Sequence, residues 1–203
     1  MTEIVRDGYE RIADVFAEWR DRIEGDPRRD WRNDFAARLP DGARVLELGC
    51  GSGDDARELA QRFRVTGVDI SSEQLRRASA NVPDGEFIQA DFTALDLPAA
   101  AFDAVASFYV FNHVPRDLLA PLLADIHRWL VRGGLLLAAF GVSDTDGWTG
   151  EWLGATMFFS SFPPETTTRL VRDAGFELLR DELVTFREPE GEATFQWVLA
   201  RST

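Results

Sequence analysis

The order of patterns along this chain predicts an α/β fold. Its expected form is a doubly wound, mostly parallel seven-stranded sheet with an antiparallel C-terminal hairpin strand and an N-terminal helical cap. Three observations carry that expectation. Short apolar runs alternate with stretches of helical periodicity. The first run ends in a loop with glycine at every second position, Gly49, Gly51 and Gly53. Two β-like segments close the chain around Pro189-Glu190-Gly191, a hairpin connection.

Residues 3–24 read as an amphipathic helix, because Ile12, Val15, Phe16, Trp19 and Ile23 recur at helical spacing. Gly25-Asp26-Pro27 breaks it, a second helix covers 28–39, and Pro40-Asp41-Gly42 turns the chain into a strand at 43–48. A helix at 54–63 and a strand at 64–69 follow the glycine loop. Ser71 or Ser72 caps the next helix, and a strand at 85–90 ends at Asp91. Residues 102–107 form the fourth strand, and a helix spans 117–131 with Gly133-Gly134 as its cap. The run 135–140 is continuously apolar, as in a strand covered on both faces. Residues 142–163 read as a long aromatic-rich connection, 164–174 as a helix, and 176–187 and 193–201 as the closing strands. The organisation is a single domain over 1–203, with 1–40 as a helical extension and 142–163 as a lid on the substrate side.

At 203 residues the chain is long enough to bury one core. No run of apolar residues is long enough to span a membrane, the start lacks a signal-peptide pattern, and Cys50 is alone, which together predict a cytoplasmic protein. The net charge of −13 argues against nucleic acid as a partner.

The glycine loop follows a strand that ends in Glu47, and Asp69 ends the next strand. This layout places backbone close to a ligand and a carboxylate against a ribose diol. A dinucleotide fingerprint would need a third glycine at position 54, which is Asp54. Glu47, Asp54 and Asp55 make a poor pyrophosphate site and suit a cation-bearing ligand.

On these residues the stretch 45–53 resembles the first motif of the class I S-adenosylmethionine-dependent methyltransferases, and the resemblance runs from about residue 43 to the C-terminus. It implies S-adenosylmethionine as cofactor and a small-molecule acceptor. Gly49, Gly51 and Gly53 would wrap the methionine portion, with Glu47 and Cys50 in the same loop. Asp69 would bind the ribose hydroxyls and Ile70 would pack on the adenine. Asp91 would take the adenine amino group, Phe92 would offer its N–H, and the backbone at Phe108 would meet the cofactor's amino group. Tyr9 lies in a segment that covers the cofactor in many relatives.

His113 is the candidate general base, against a structural role in its loop. Phe16, Trp19, Tyr109, Asn112, Trp148, Trp152, Met157 and Phe158 are candidates for a largely apolar substrate pocket. Cys50 reads as a small turn filler. Asp144 and Asp146 follow the fifth strand, but the fourth ends in Ser107 and Phe108 where a metal-dependent relative needs an acid, so no metal is expected. Arg132 stands before the glycine pair where the family frequently has proline. Alternatives from other classes are a cofactor-binding cyclase or isomerase, a non-catalytic partner subunit and a nicotinamide dehydrogenase.

Overall fold

A computed structural model describes residues 2–203. Helices α1 (Thr2–Arg20) and α2 (Arg28–Ala37) precede β1 (Arg44–Leu48). There follow α3 (Asp54–Ala60), β2 (Arg64–Asp69), α4 (Ser72–Asn81) and β3 (Glu86–Gln89). Then come β4 (Phe102–Ser107), α5 (Arg116–Trp129) and β5 (Leu130–Gly141). A hairpin of β6 (Thr145–Trp152) and β7 (Ala155–Ser161) leads to α6 (Pro164–Asp173), β8 (Phe176–Glu188) and β9 (Gly191–Ser202).

The seven-stranded sheet has the order β3-β2-β1-β4-β5-β9-β8. From β1 the chain steps outward to β2 and β3, then returns past β1 to β4 and β5. The reversal leaves a crevice at the carboxyl ends of β1 and β4, where such sheets bind ligands. β9 is antiparallel to both β5 and β8, so it is the one strand that runs against the others.

Alternate residues of β5 divide between the two faces. Leu136, Ala138 and Phe140 join the core under α5 and α6, while Leu135, Leu137 and Ala139 join the core under α2 and α3. A strand covered on both sides needs this uninterrupted apolar run. On the second face Trp31 and Trp197 stack with centroids 5.6 Å apart, which fastens α2 to β9.

Helix α1 sits elsewhere. It packs on the β6–β7 hairpin and on α4, forming a third apolar cluster of Ile12, Ala155 and Met157. Glu10 accepts hydrogen bonds from the Ser72 N–H and hydroxyl, and Arg77 pairs with Asp14 at 2.6 Å.

The largest departure from expectation lies in 142–163, which is a separate two-stranded hairpin and not an irregular connection. Trp152 pairs with Ala155 across the two-residue turn Leu153-Gly154, both at positive φ (51° and 83°). Two positive-φ turn residues match the twist of a tight hairpin. Gly147 and Gly150 lie inside the first strand and hide its pattern. The glycine pair does not cap α5, which ends at Trp129. Leu130 already pairs with Phe102, and Gly133 and Gly134 fall where the β4–β5 register shifts. The first helix stops at Arg20, four residues before the expected end.

Candidate active site

The crevice opens into one cavity, lined along one side by α1 and along the other by the loops after β1 to β4. Gly49 has φ +69°, and a Cβ there would sit 2.5 Å from a methyl of Val110, so the position is closed to any side chain. Gly51 lies on the cavity wall with nothing nearer to its missing Cβ than Gln74 Oε1 at 3.9 Å, which leaves room for a ligand against bare backbone. Gly53 does something different. It begins α3 in the left-handed region with its Cα facing Ala78 of α4, and it does not line the cavity.

Asp69 ends β2 with its carboxylate between two N–H donors, Gly51 at 2.8 Å and Ser71 at 2.9 Å. Burial raises its pKa against the pull of those bonds, and unused lone pairs face the cavity. Glu47 is only 2% exposed, and its Oε2 has no hydrogen-bond partner. Burial, then the charges of Asp55 and Asp69, push its carboxyl well above the ordinary range, opposed by Arg28 and Arg32. A buried acceptor without a donor is costly, and a donor arriving in the cavity would remove that cost. The Nε2 of Gln74, also 2% exposed, is a second orphan on the same wall. Sequence reasoning passed over Gln74 because it reads as an ordinary helical residue.

Ile70, Asp91, Phe92, Phe108 and Cys50 all line the cavity. Asp91 Oδ1 accepts from the N–H and hydroxyl of Thr93, and Oδ2 from the Thr2 hydroxyl at 2.9 Å. Cys50 is buried with its sulfur against Gly67, and burial followed by the Glu47 and Asp69 charges drives its thiol pKa upward. The thiol stays protonated and packs as an apolar filler.

The roof is aromatic. Tyr9, Phe16 and Trp19 of α1 meet Trp152 of the hairpin, with ring centroids 5.3 to 6.3 Å away. His113 lies on a single 3-10 turn after β4, and its Nδ1 is 2.7 Å from the Phe158 carbonyl. A carbonyl only accepts, so Nδ1 carries the hydrogen. Nε2 is therefore the lone-pair nitrogen, and it accepts from the Tyr9 hydroxyl at 2.9 Å. Burial lowers the His113 pKa to about 4, against the opposing effect of the Phe158 bond. Burial, with Asp69 adding to it, raises that of Tyr9. The pair is a neutral imidazole capped by a neutral phenol.

Tyr109 and Asn112 line the cavity. Tyr109 adopts φ +59°, a strained value for a bulky residue, and its hydroxyl donates to Asp26 at 2.6 Å. Asn112 keeps its Oδ1 buried without a partner.

Three expected pocket residues lie outside the cavity. Trp148 is half exposed and stacks on Phe159 from the outer side. Met157 is fully buried under Gly8, and Phe158 contributes its carbonyl to His113 while its ring packs by Gly147. Strand alternation explains Phe158, which points away from the face that carries Phe159; Met157 shares that face but is covered by Gly8, and Trp148 lies beyond Phe159 at the open end of the hairpin. Among the described residues no group of three or more His, Cys, Asp or Glu side chains is placed to hold a metal ion.

Residues 45–134 match the methyltransferase domain family. That stretch, a little under half of the chain, is similar to the class I S-adenosylmethionine-dependent methyltransferases. It is 40% identical over 116 residues to the trans-aconitate 2-methyltransferase of Azoarcus sp. strain BH72, an alignment covering 55% of this chain and 45% of that enzyme. The chain thus spans less than half the length of that relative. Its fold matches the 1,6-didemethyltoxoflavin-N1-methyltransferase of Burkholderia thailandensis, solved with 1,6-didemethyltoxoflavin and S-adenosylhomocysteine, at TM-score 0.73 and 23% identity over 97% of this chain and 84% of that one. The fold also matches the [4+2]-cyclase SpnF at TM-score 0.69 and 21% identity, covering 85% and 80% of the two chains. No helix among the described residues is long and apolar enough to cross a membrane.

Proposed function

We propose that this protein transfers a methyl group from S-adenosylmethionine to a small-molecule acceptor. The observation that carries the reading is the set of unpaired polar atoms around the glycine loop, above all the orphaned Glu47 Oε2. The cofactor brings an ammonium, a sulfonium and a ribose diol, and those groups meet the needs of Glu47 and Asp69 in kind. Gly49 and Gly51 keep the wall bare beside them, and Ile70 and Phe92 offer apolar surface for the adenine. When bound, the cofactor supplies an electrophilic methyl on a good leaving group, so orientation and exclusion of water account for much of the rate.

His113 and Tyr9 handle the proton. The acceptor's proton passes to the Tyr9 oxygen as Tyr9 gives its own to His113 Nε2, and the Phe158 carbonyl steadies the imidazolium that forms. The burial that lowers the His113 pKa keeps it ready as a base at neutral pH. Helix α1 and the β6–β7 hairpin act as the lid.

Calorimetric titration with S-adenosylhomocysteine, with NADH as control, tests the cofactor. Saturable binding of the former alone supports the reading, and binding of NADH alone sinks it. The SpnF likeness favours one second reading, a protein that binds the cofactor without donating its methyl. Cofactor binding with no product heavier by one methyl, across a broad acceptor screen, selects that alternative.

A further inference from the structure

The far end of the cavity, where α1 gives way to α2 and the β8–β9 turn comes up beside them, is not used by the cofactor or by the Tyr9–His113 pair. Glu188 lines the cavity there, half-buried. No hydrogen bond and no cation reaches its carboxylate among the described residues. Two further acids stand close by. Glu190 accepts from Trp19 Nε1 at 2.7 Å, and Asp26 is held by Tyr109 at 2.6 Å and by Arg28 at 3.0 Å.

The two cations that line the cavity are already engaged. Arg20 pairs with Asp54 at 2.7 Å, and Arg28 pairs with Asp26 and Asp55, each at 3.0 Å. Both charges are already matched by carboxylates, and Arg28 Nε is the one buried donor of the pair left without a partner. The walls next to Glu188 are rings: Trp19, Tyr109, Phe186 and Phe195 all face the cavity. A free carboxylate among π faces is how proteins hold a cationic nitrogen, since the ring quadrupoles and the charge act in the same direction.

We propose that the acceptor molecule carries a cationic nitrogen, a protonated amine or a quaternary ammonium, and that Glu188 holds it. The inference rests on the methyl-transfer reading of the same cavity. The cation is not the methylated atom. A ladder of rings runs from His113 through Tyr9 and Phe16 to Trp19, with centroid spacings of 5.5, 5.4 and 6.0 Å, and the acidic end lies beyond Trp19. The substrate is therefore elongated and largely apolar, with its cation at one end and its nucleophilic atom at the other. In the free protein burial, Glu190 and Asp26 push the Glu188 pKa to about 7, which fits a carboxylate waiting for a positive partner.

The test uses the full chain saturated with S-adenosylhomocysteine and four probes of similar size: 2-phenylethylamine, benzyltrimethylammonium, 2-phenylethanol and 3-phenylpropanoate. Binding is read from quenching of tryptophan fluorescence at neutral pH. The two cations are expected to bind at least about tenfold tighter than the carboxylate, with the alcohol between. Glu188→Gln should erase that order while leaving the affinity for S-adenosylhomocysteine unchanged, and Glu188→Asp should keep part of it. Equal or tighter binding of the carboxylate overturns the proposal. So does an unchanged order in Glu188→Gln, or no binding of either cation at millimolar concentration. If S-adenosylhomocysteine itself fails to bind, the methyl-transfer reading falls, and the cation order is read on the free protein as a separate result.

Discussion

The floor and the roof of the cavity are built on different principles. The floor consists of strand ends and the residues that follow them: Glu47 near the end of β1 and Gly49 just after it, Asp69 at the end of β2, Asp91 beyond β3 and Phe108 after β4. Each is set by its neighbours in sequence and by strand pairing two residues away. The roof consists of rings from α1, from the hairpin and from the β8–β9 pair, brought together over long stretches of chain. Floor chemistry is polar and unsatisfied, whereas roof chemistry is apolar apart from a few hydroxyl, indole and carboxylate groups. A ligand that is recognised at both must carry its polar groups low and its apolar surface high.

His113→Ala tests whether a roof contact reaches into the chemistry, and it has the largest expected effect. Turnover should fall by about 10²–10⁴-fold with cofactor affinity nearly intact, as steady-state rates and calorimetry would report. In the native protein the acid limb of kcat should lie near the lowered His113 pKa of about 4 and not near 6.5. An acid limb near 6.5 would show that the imidazole is solvated in the working state.

Asp69→Ala removes the ribose anchor proposed for the floor. The affinity for S-adenosylhomocysteine should drop by about 1–3 kcal/mol, the usual cost of leaving polar partners unpaired. Unchanged affinity would mean that the diol sits elsewhere.

Glu47→Gln separates stability from binding. The folded state holds this carboxyl above its ordinary pKa, so its ionisation destabilises the empty protein once the pH exceeds the unfolded value near 4.5. The variant should be more stable than the native chain at pH 7, and the two should converge as the pH falls below that value. It should also bind S-adenosylhomocysteine more weakly. Thermal melts at both pH values check the first part, and a native chain that is the more stable at pH 7 would refute it.

Trp148→Ala should have the smallest effect, under about 0.5 kcal/mol in stability and no change in turnover, because the ring lies outside the cavity with half its surface exposed. A clear loss of activity would assign the open end of the hairpin a role.

The floor was legible in the sequence for a physical reason. A strand that must be apolar, a loop that must lack side chains and an acid at a fixed offset are local constraints, and each leaves residues that can be read in order. The roof was legible only as a stock of aromatic residues. Which of Trp148, Trp152, Phe158 and Phe159 faces inward depends on the register of a hairpin, and a shift of one residue reverses every side chain. Gly147 and Gly150 blurred that register further. Phe186, Phe195 and Glu188 escaped notice because β8 and β9 read as sheet-forming segments, and nothing local says that the turn joining them returns to the cavity. Gln74 and Arg28 were missed in the same way. Their importance comes from an orphaned amide and a doubly paired guanidinium, which only the packed structure displays.

Helix α1 lies along the cavity from Thr2 to Arg20, and it is moored to α4 by Glu10 on Ser72 and by Arg77 on Asp14. A ligand held beneath it would leave only after those moorings part, so S-adenosylhomocysteine is expected to depart on the schedule of a helix and not of a diffusing molecule. Asp14 is almost fully exposed, and dissolved salt screens its pairing with Arg77. Exchange of S-adenosylhomocysteine should therefore quicken as ionic strength rises, which stopped-flow fluorescence would follow directly.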